Sequence, residues 1–262
     1  MLGIHVVYKL VSITFSLLAI WTSISIFNKG FLLTRYELNE TNKCENPPKC
    51  WERKELPYNK VILLIIDALR YDFTTLSDKN ATYLNKMPVF HDIALNKGCA
   101  KTKLFRFEAD APTTTMQRIK GMFTGGFPTF IDVSNNFASG EIMEDNVLDQ
   151  LGGNITFMGD DTWVGLFPER FQRSFPFPSF DVKDLHTVDN GVLNHLFDEI
   201  PKQDWRLLIA HFLGVDHCGH RYGPLHPEMS LKLAQMDQMI RDVIHTMDNN
   251  TLLLVMGDHG KL

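Results

Sequence analysis

From about residue 60 onward, short apolar runs alternate with longer amphipathic stretches. The apolar runs are about four to eight residues long, the length of a buried strand, and lie at Val61–Ile66, Cys99–Phe105, Ile155–Met158, Leu207–Phe212 and Leu252–Met256. Helical stretches are predicted at Met87–Asn96, from about Thr115, and at Met229–Met247. Because continuous apolar strands separated by helices are typical of covered parallel sheets, the sequence predicts an α/β fold with a mostly parallel central sheet and helices on both faces.

Polar, chemically versatile residues follow the predicted strands at the points where those strands end. The groups are Asp67, then Gly159-Asp160-Asp161, then Gly214-Val215-Asp216-His217 with His220, and finally Gly257-Asp258-His259-Gly260. In open α/β sheets, ligands bind outside the carboxyl ends of the strands. A single Asp after a strand is commonly only a helix cap, but together these strand ends indicate one shared site.

The acidic and histidine residues at these strand ends have the chemistry of metal ligands. Asp216 and His220 are four residues apart, so both can face one point from a helical turn. Asp258 and His259 follow the end of one predicted strand, and Asp67 follows the end of another and would add a third ligand. Mixed Asp/His ligation suits catalytic Zn²⁺, whereas Mg²⁺ or Mn²⁺ prefers oxygen alone. These candidates exceed one tetrahedral site, so we expect two metals about 3.5–4 Å apart, an arrangement that serves phosphoryl transfer.

A run of threonines offers a nucleophile. Thr113, Thr114 and Thr115 follow Pro112 and precede a predicted helix. A threonine at a helix N-terminus with a metal on its hydroxyl oxygen would be readily deprotonated. The alternative is that these hydroxyls merely cap the helix, which the segment alone favours. The candidate metal ligands elsewhere in the chain shift the preference from helix capping to a nucleophile.

The N-terminal region contains an uncharged apolar stretch, Leu10–Phe27, of 18 residues. A membrane-spanning helix needs about 17–25 such residues. A cleaved signal peptide, with Lys9 as its basic region, is the alternative, but the run exceeds the usual h-region of about 7–15 residues and no A-x-A-like site follows. The predicted organisation is a short tail (1–9), a transmembrane signal anchor (10–27), a lumenal stalk (28–59) and a catalytic domain (60–262).

Four glycosylation sequons favour a lumenal or extracellular location for that domain. They begin at Asn39, Asn80, Asn154 and Asn249. Cys44 and Cys50 flank two prolines in the stalk and could form a disulfide or remain unpaired thiols. The sequence predicts a membrane-anchored glycoprotein.

Composition and charge exclude several other classes of protein. The chain is 44% hydrophobic, which rules out disorder. Its 26 basic and 31 acidic residues give a net charge of −5, which argues against a nucleic-acid partner because phosphate backbones require clustered Lys and Arg. The four cysteines include no CxxC pair, so a thiolate metal cage is excluded.

These residues together resemble the alkaline phosphatase superfamily. Within it, the chain is similar to the GPI-anchor ethanolamine phosphate transferases, closest to the member that acts on the third mannose. The matching stretches are IDALRYDF (66–73), PTTTMQR (112–118), FMGDDTW (157–163), DLHTVDNG (184–191), AHFLGVDHCGH (210–220) and MGDHG (256–260). The resemblance covers roughly residues 55–260.

The resemblance implies roles for individual residues. The implied ligands of one zinc are Asp67, Thr115, Asp258 and His259, with Thr115 also the nucleophile that becomes phosphorylated. Asp216 and His220 match two ligands of a second zinc. Asn136 falls near an asparagine that contacts a substrate phosphate oxygen in related phosphodiesterases, and Asn135 is nearly as good a candidate.

The resemblance also implies a reaction and its setting. The donor is phosphatidylethanolamine, the acceptor is a mannose 6-hydroxyl of the GPI-anchor precursor, and the site is the lumenal face of the endoplasmic reticulum membrane, with a small multi-span membrane partner subunit. A sulfatase is disfavoured because Pro112–Arg118 supplies no C/S-x-P-x-R nucleophile. A secreted nucleotide phosphodiesterase is an alternative that the metal ligands alone allow, but its P-x-x-T-F-P-N run is unmatched after Thr115.

The sequence departs from the family after the Gly-Asp-His-Gly motif. The family supplies another histidine ligand for the second zinc further along, followed by a multi-helix membrane region, whereas this sequence ends at Leu262. We therefore expect a weakened second metal site, an apolar edge on the last strand and little turnover by these residues alone. Two hypotheses follow: an incomplete part of an active transferase, or a non-catalytic membrane-anchored form that binds lipid or a partner subunit.

Overall fold

The structure is a computed structural model that describes residues 2–31, 38, 40–41, 58–95, 102–127, 129 and 140–260. Helix α1 spans Leu2–Phe31, beyond both ends of the predicted 10–27 span. From Ile4 onward nearly all its side chains are exposed, and by length and composition it could cross a membrane, although an N-terminal signal sequence would pass the same test. Most of the predicted stalk, with Cys44, Cys50 and Asn39, lies outside the described residues.

The predicted parallel sheet is confirmed. Its strands are β1 (Lys60–Ile66), β2 (Ile155–Asp160), β3 (Arg173–Phe177), β4 (Leu207–Phe212) and β5 (Thr251–Met256). Their order is β3-β2-β4-β1-β5, and every neighbouring pair is parallel. The carboxyl ends of all these strands therefore lie at one edge, with β1 between β4 and β5.

Helices connect the strands. A 3₁₀ turn covers Tyr71–Phe73, followed by α2 (Val89–Leu95), α3 (Thr115–Thr124), α4 (Val147–Leu151), α5 (Thr162–Leu166), α6 (Thr187–Glu199), α7 (Gly214–Tyr222) and α8 (Pro227–Thr246). The helices predicted near Met87, Thr115 and Met229 are confirmed to within two residues at their starts.

Alternation along β1 divides the apolar core into two layers, because successive strand residues point to opposite faces of a sheet. Ile62, Leu64 and Ile66 pack in one layer with side chains of α6 and α8. Leu63 and Ile65 pack in the other with side chains of α3 and α5. Helices thus cover both faces, as the continuous apolar runs predicted.

Two strand predictions require correction. No strand forms in the described part of the predicted Cys99–Phe105 run, where Leu104 and Phe105 are exposed, and Cys99 lies outside the described residues. Strand β3 was not predicted, because its sequence RSFPF carries no continuous apolar run. It lies at the sheet edge, where a proline is tolerated because no ladder hydrogen bond is required on the outer side.

The opposite edge is formed by β5, which pairs only with β1 among the described strands. Leu254 in its middle is 44% exposed. Within the described residues, the sheet therefore has the apolar edge that the sequence predicts.

Candidate active site

The first group of candidate ligands is brought together by neighbouring strands. β1 and β5 pair with Ile65 opposite Met256, so Asp67, just past the end of β1, meets the loop that follows β5. One ligand atom from each of Asp67, Asp258 and His259 lies within 4.8 Å of the others. We call these three residues the primary cluster.

Thr115 joins this cluster from α3. Its Oγ1 donates a hydrogen bond of 2.9 Å to Asp67 Oδ2. Thr114 is the helix N-cap by backbone conformation, yet its side chain makes no capping hydrogen bond, and Thr113 is exposed. The threonine run is therefore not accounted for by helix capping, and Thr115 is the member whose hydroxyl reaches a candidate metal ligand.

Hydrogen bonds fix Asp258 while leaving part of its carboxylate unsatisfied. Asp258 Oδ1 accepts hydrogen bonds from the backbone N–H groups of Ala68, at 3.1 Å, and His259, at 2.8 Å. Arg118, buried in α3, donates from Nε to the Asp258 carbonyl at 3.0 Å. Among the described residues, Asp258 Oδ2 and Asp67 Oδ1 are buried and accept no hydrogen bond.

These two oxygens indicate a site that could hold a cation, because a buried carboxylate oxygen without a hydrogen bond is costly. His259 Nε2 lies 3.1 Å from Asp67 Oδ1 and 3.6 Å from Asp258 Oδ2. A ring nitrogen and two carboxylates converge there, the mixed donor set that Zn²⁺ accepts. The residues of the primary cluster therefore fit a bound metal.

The ionisation of the cluster agrees with that fit. Burial raises the pKa of Asp258 to about 7, and the adjacent charge of Asp67 adds to the rise. Burial opposes a charge on His259, but contact with Asp67 and the charge of Asp258 raise its pKa to about 9. Burial likewise opposes ionisation of Asp67, yet the His211 and His259 rings hold its pKa well below the ordinary range. Asp258 and His259 therefore hold on to their protons more strongly than usual. A bound cation could replace those protons.

The second group of candidate ligands lies on α7 and is called the helix pair. Asp216 Oδ2 is 3.3 Å from His220 Nε2, one turn apart, as their spacing predicts. Asp216 is close enough for its charge to raise the pKa of His259. The side chain of His220 is 48% exposed, against 11% for Asp216. No third ligand joins this pair among the described residues.

Several residues in the recognised motifs acquire structural explanations. Asp160 Oδ1 accepts from the backbone N–H and hydroxyl of Thr162, and Asp161 Oδ1 accepts from Ser179 Oγ. His186 is the N-cap of α6, and its N–H donates to Asp184. Asn135 and Asn136, the candidate phosphate ligands, lie outside the described residues.

Sequence reasoning assigned no role to three further residues near the primary cluster. Arg118 links α3 to the loop after β5, and Trp163 donates from its indole N–H to Nδ1 of His211 at 2.9 Å. His211 Nε2 in turn lies 3.7 Å from Asp67 Oδ2. Two signals could have pointed to them: an arginine one helical turn after Thr115, and a histidine inside an otherwise apolar strand.

Comparison with known proteins places this geometry in an enzyme class. The sequence profile of the Type I phosphodiesterase / nucleotide pyrophosphatase family matches residues 141–261. The structure of murine ectonucleotide pyrophosphatase / phosphodiesterase 5 has the same fold, with a TM-score of 0.52 at 17% identity over 77% of this chain and 57% of that chain. The fold is thus phosphodiesterase-like, of the alkaline phosphatase type, and the primary cluster at its strand ends is a group of residues that could hold a metal ion.

Comparison with curated relatives shows which group of phosphodiesterase-like proteins this chain is similar to. The chain is 45% identical over 265 residues to the human "GPI ethanolamine phosphate transferase 3, catalytic subunit", covering 92% of this chain and 24% of that protein. It is 38% identical over 213 residues to the human "GPI ethanolamine phosphate transferase 2, catalytic subunit", covering 78% and 21%. The chain is similar to the GPI ethanolamine phosphate transferases over most of its own length, and it spans about a quarter of the length of the curated relatives it matches.

Proposed function

We propose that this chain carries the nucleophile, Thr115, and the first metal site for the transfer of phosphoethanolamine from phosphatidylethanolamine to a mannose of the GPI-anchor precursor. The observation that carries the proposal is the Thr115 hydroxyl held on Asp67, beside two buried carboxylate oxygens that accept no hydrogen bond among the described residues. A threonine hydroxyl held in that position can act as the nucleophile that forms a covalent intermediate in phosphoryl transfer.

The reaction proceeds in two displacements at phosphorus. In the first, Thr115 Oγ1 loses its proton and bonds to the phosphorus of the donor, the bond from phosphorus to the diacylglycerol oxygen breaks, and that oxygen takes a proton. In the second, the mannose hydroxyl bonds to phosphorus, its proton is released, and Thr115 Oγ1 leaves and regains a proton. Before substrate binds, the Thr115 hydroxyl donates a hydrogen bond to Asp67 Oδ2. This hydrogen bond fixes the direction of the hydroxyl in advance.

The metal is proposed to be zinc, since the primary cluster combines carboxylate oxygens with an imidazole nitrogen. Asp67, Asp258 and His259 would hold it together with Thr115, and the helix pair would contribute to a second ion. When bound, such ions acidify a coordinated hydroxyl and stabilise charge on phosphoryl oxygens. Asn136, or its neighbour Asn135, is proposed to contact a substrate phosphate oxygen.

The substrate assignment is supported by the names of the relatives. The higher identity to the relatives numbered 3 than to those numbered 2, 45% against 38% in the human pair, favours the third mannose as acceptor. The words "catalytic subunit" in the human name support a partner subunit. Phosphatidylethanolamine as donor follows from the family resemblance.

The proposed location is the endoplasmic reticulum membrane with the catalytic domain in the lumen. Helix α1 is long and apolar enough to anchor the chain. Of the described sequon residues, Asn80 and Asn249 are exposed. Asn154 is exposed as well, but its side-chain amide donates to the Asp204 carbonyl at 2.7 Å, so we expect glycosylation at Asn80 and Asn249 more readily than at Asn154.

The covalent adduct on Thr115 tests the proposal. The chain, supplied with Zn²⁺ in vesicles containing headgroup-labelled phosphatidylethanolamine, should acquire a phosphoethanolamine group on the peptide that contains Thr115, detected by mass spectrometry. Thr115→Ala should lose the adduct, whereas the matched Thr113→Ala variant should keep it. An adduct that persists in Thr115→Ala would move the nucleophile to Thr113 or Thr114. A chain that binds zinc but forms no adduct would favour the non-catalytic binding form.

A further inference from the structure

His211 is an isolated polar residue in the most buried part of the sheet. It lies in β4 opposite Ile65 of β1, and every other residue of that strand is apolar. Its side chain is completely buried. Because a buried imidazole is costly unless its nitrogens are paired, the contacts of both ring nitrogens decide what this residue does.

One ring nitrogen is defined by Trp163. The indole N–H of Trp163 can only donate, and it is directed at Nδ1 of His211 at 2.9 Å. That nitrogen must therefore carry a lone pair, which places the ring proton on Nε2. Three aromatic neighbours, Phe123, Phe157 and Phe167, pack around the Trp163 ring and fix its position.

The other ring nitrogen faces the primary cluster. Nε2 of His211 lies 3.7 Å from Asp67 Oδ2, slightly beyond hydrogen-bond distance, and has no hydrogen-bond partner among the described residues. Catalytic hydrogen bonds are often long in ligand-free sites and shorten when the site is filled. Asp67 Oδ2 is also the oxygen that accepts from Thr115, so the imidazole and the hydroxyl converge on one carboxylate oxygen and leave Oδ1 directed toward His259.

The close approach of β2 to the backbone of His211 requires glycine at position 159. Gly159 in β2 has a φ of +135°, and a Cβ there would collide with the backbone carbonyl and Cβ of His211. The close approach of β2 to β4 at this point therefore depends on the Gly159 of the FMGDD stretch. Trp163, which follows the same strand, supplies the indole.

We propose that Trp163 and His211 form a relay that positions Asp67 and thereby sets the metal affinity of the primary cluster. The inference rests on the metal site proposed above. Trp163 fixes the orientation and tautomer of the imidazole, and the Nε2–H of His211 holds Asp67 Oδ2 so that Oδ1 faces the ion. His211 is a positioning residue: outer hydrogen bonds of this kind orient ligating groups and tune affinity, and their loss typically costs about 10–100-fold in binding.

The affinity of the 262-residue chain for Zn²⁺ alone, measured in detergent by competition with a chromophoric chelator, tests the relay. We expect Trp163→Phe and His211→Phe to weaken binding by about 10–100-fold. His211→Gln, whose amide N–H can reach the position of Nε2, should recover most of the loss. The matched control is Trp205→Phe, which removes an equally buried indole hydrogen bond, to the Glu199 carbonyl at 2.7 Å, and should leave zinc affinity unchanged.

Thermal melting of the metal-free variants separates positioning from folding. Trp163→Phe and Trp205→Phe should lower the melting temperature similarly, since each loses one buried hydrogen bond, while only the first should lose affinity. Equal zinc affinity in these two variants, or no recovery in His211→Gln relative to His211→Phe, would overturn the relay. If His211→Phe does not fold, the two tryptophan variants decide the outcome alone. A wild-type chain that binds no zinc would overturn the metal site as well, whereas tight wild-type binding unaffected by Trp163→Phe would overturn only the relay.

Discussion

The primary cluster and the helix pair are built in opposite ways from the same residue types. Asp67 and Asp258 sit at the ends of neighbouring strands, are fully buried, and are fixed by backbone N–H groups and by Thr115. Asp216 and His220 lie on one turn of α7, and His220 is half exposed. The sheet therefore fixes the side chains of the primary cluster in place, at the cost of burying their charges. The helix holds the side chains of the helix pair less rigidly.

This difference predicts two metal affinities. A buried site with oxygens lacking hydrogen bonds gains most from a cation, because the cation satisfies atoms that water cannot reach. In the helix pair Asp216 is buried but His220 is half exposed, so its ring exchanges hydration for coordination and the pair gains less. We expect the first metal equivalent to bind tightly at the primary cluster and any second equivalent to bind weakly at the helix pair.

The largest effect should come from Asp258→Asn. The amide retains the Oδ1 acceptor for the Ala68 and His259 N–H groups but removes the charge. We expect zinc affinity to fall by more than the about 100-fold that loss of an outer hydrogen bond can cost. The metal-free melting temperature should hold or rise, because burial and Asp67 oppose the charge that is lost. Asp161→Asn, at the end of β2, is the matched control and should change neither quantity.

A variant that loses zinc affinity and metal-free stability together would instead make Asp258 a structural residue. The buried charge of Asp258 would then stabilise the fold without a cation. The expected difference in metal affinity between the primary cluster and the helix pair would no longer follow from burial.

The second prediction concerns what holds the helix pair. Asp189 in α6 accepts hydrogen bonds from the N–H groups of Leu213 and Gly214 at the start of α7, and its other oxygen pairs with the buried Lys232 at 3.0 Å. Asp189→Ala would leave the buried Lys232 charge without this carboxylate, with Gln235 Oε1 still accepting a hydrogen bond from Nζ, and should cost about 3–5 kcal/mol in the free energy of unfolding. Chemical denaturation measures this.

The double variant Asp189→Ala/Lys232→Met should recover part of that loss, since it removes the unpaired charge. As a control, Asp92→Ala breaks an exposed ion pair with Arg241 and should cost far less. Equal losses in Asp189→Ala and Asp92→Ala would contradict a supporting role for the buried pair.

The structure brings the strand-end residues of the primary cluster together as the sequence predicts, whereas two strands of the sheet differ from the prediction. Asp67 and Asp258 were found because each follows an apolar run, and parallel strands carry their carboxyl ends to one edge. Strand β3 was missed because it has no apolar run: its half-buried Arg173, Phe175 and Phe177 alternate with exposed Ser174 and Pro176. The run Cys99–Phe105 was predicted to be a strand from hydrophobicity alone, yet the side chains of Leu104 and Phe105 are exposed.

His211 shows what pattern reasoning cannot supply. A histidine inside an apolar strand reads as a core residue, and its spacing to Trp163 and Asp67 along the chain carries no signal. The contact depends on the strand order β2-β4-β1 and on the register that places His211 opposite Ile65. Both are set by packing between distant segments, which a local sequence pattern does not encode.

The third prediction is a pH dependence of the metal-free chain. The pKa of Asp258 is raised from 3.8 to about 7 and that of His259 from 6.5 to about 9. The folded state therefore binds more protons than the unfolded state between about pH 4 and 9, so stability should fall as pH rises through this range. The lowered pKa of Asp67 acts in the opposite sense, but only as the pH falls below its ordinary value of 3.8.

Melting curves across that range, with chelator present, measure the effect. Saturating Zn²⁺ should flatten or reverse the slope, because metal binding displaces the same protons and strengthens as pH rises. A metal-free chain whose stability rises between pH 5 and 9 would contradict the assigned pKa shifts.

The smallest effect should come from His220→Ala. His220 is half exposed and contacts only Asp216 among the ligand candidates, so its loss should leave the first zinc equivalent unchanged and weaken only the second. The melting temperature should also hold, since little buried surface is removed. His245→Ala, an exposed histidine in the last turn of α8, controls for nonspecific zinc binding by surface imidazoles. If His220→Ala weakened the tight equivalent as much as Asp258→Asn does, the two groups would form one interdependent site, because the exposed member could not then act separately from the buried one.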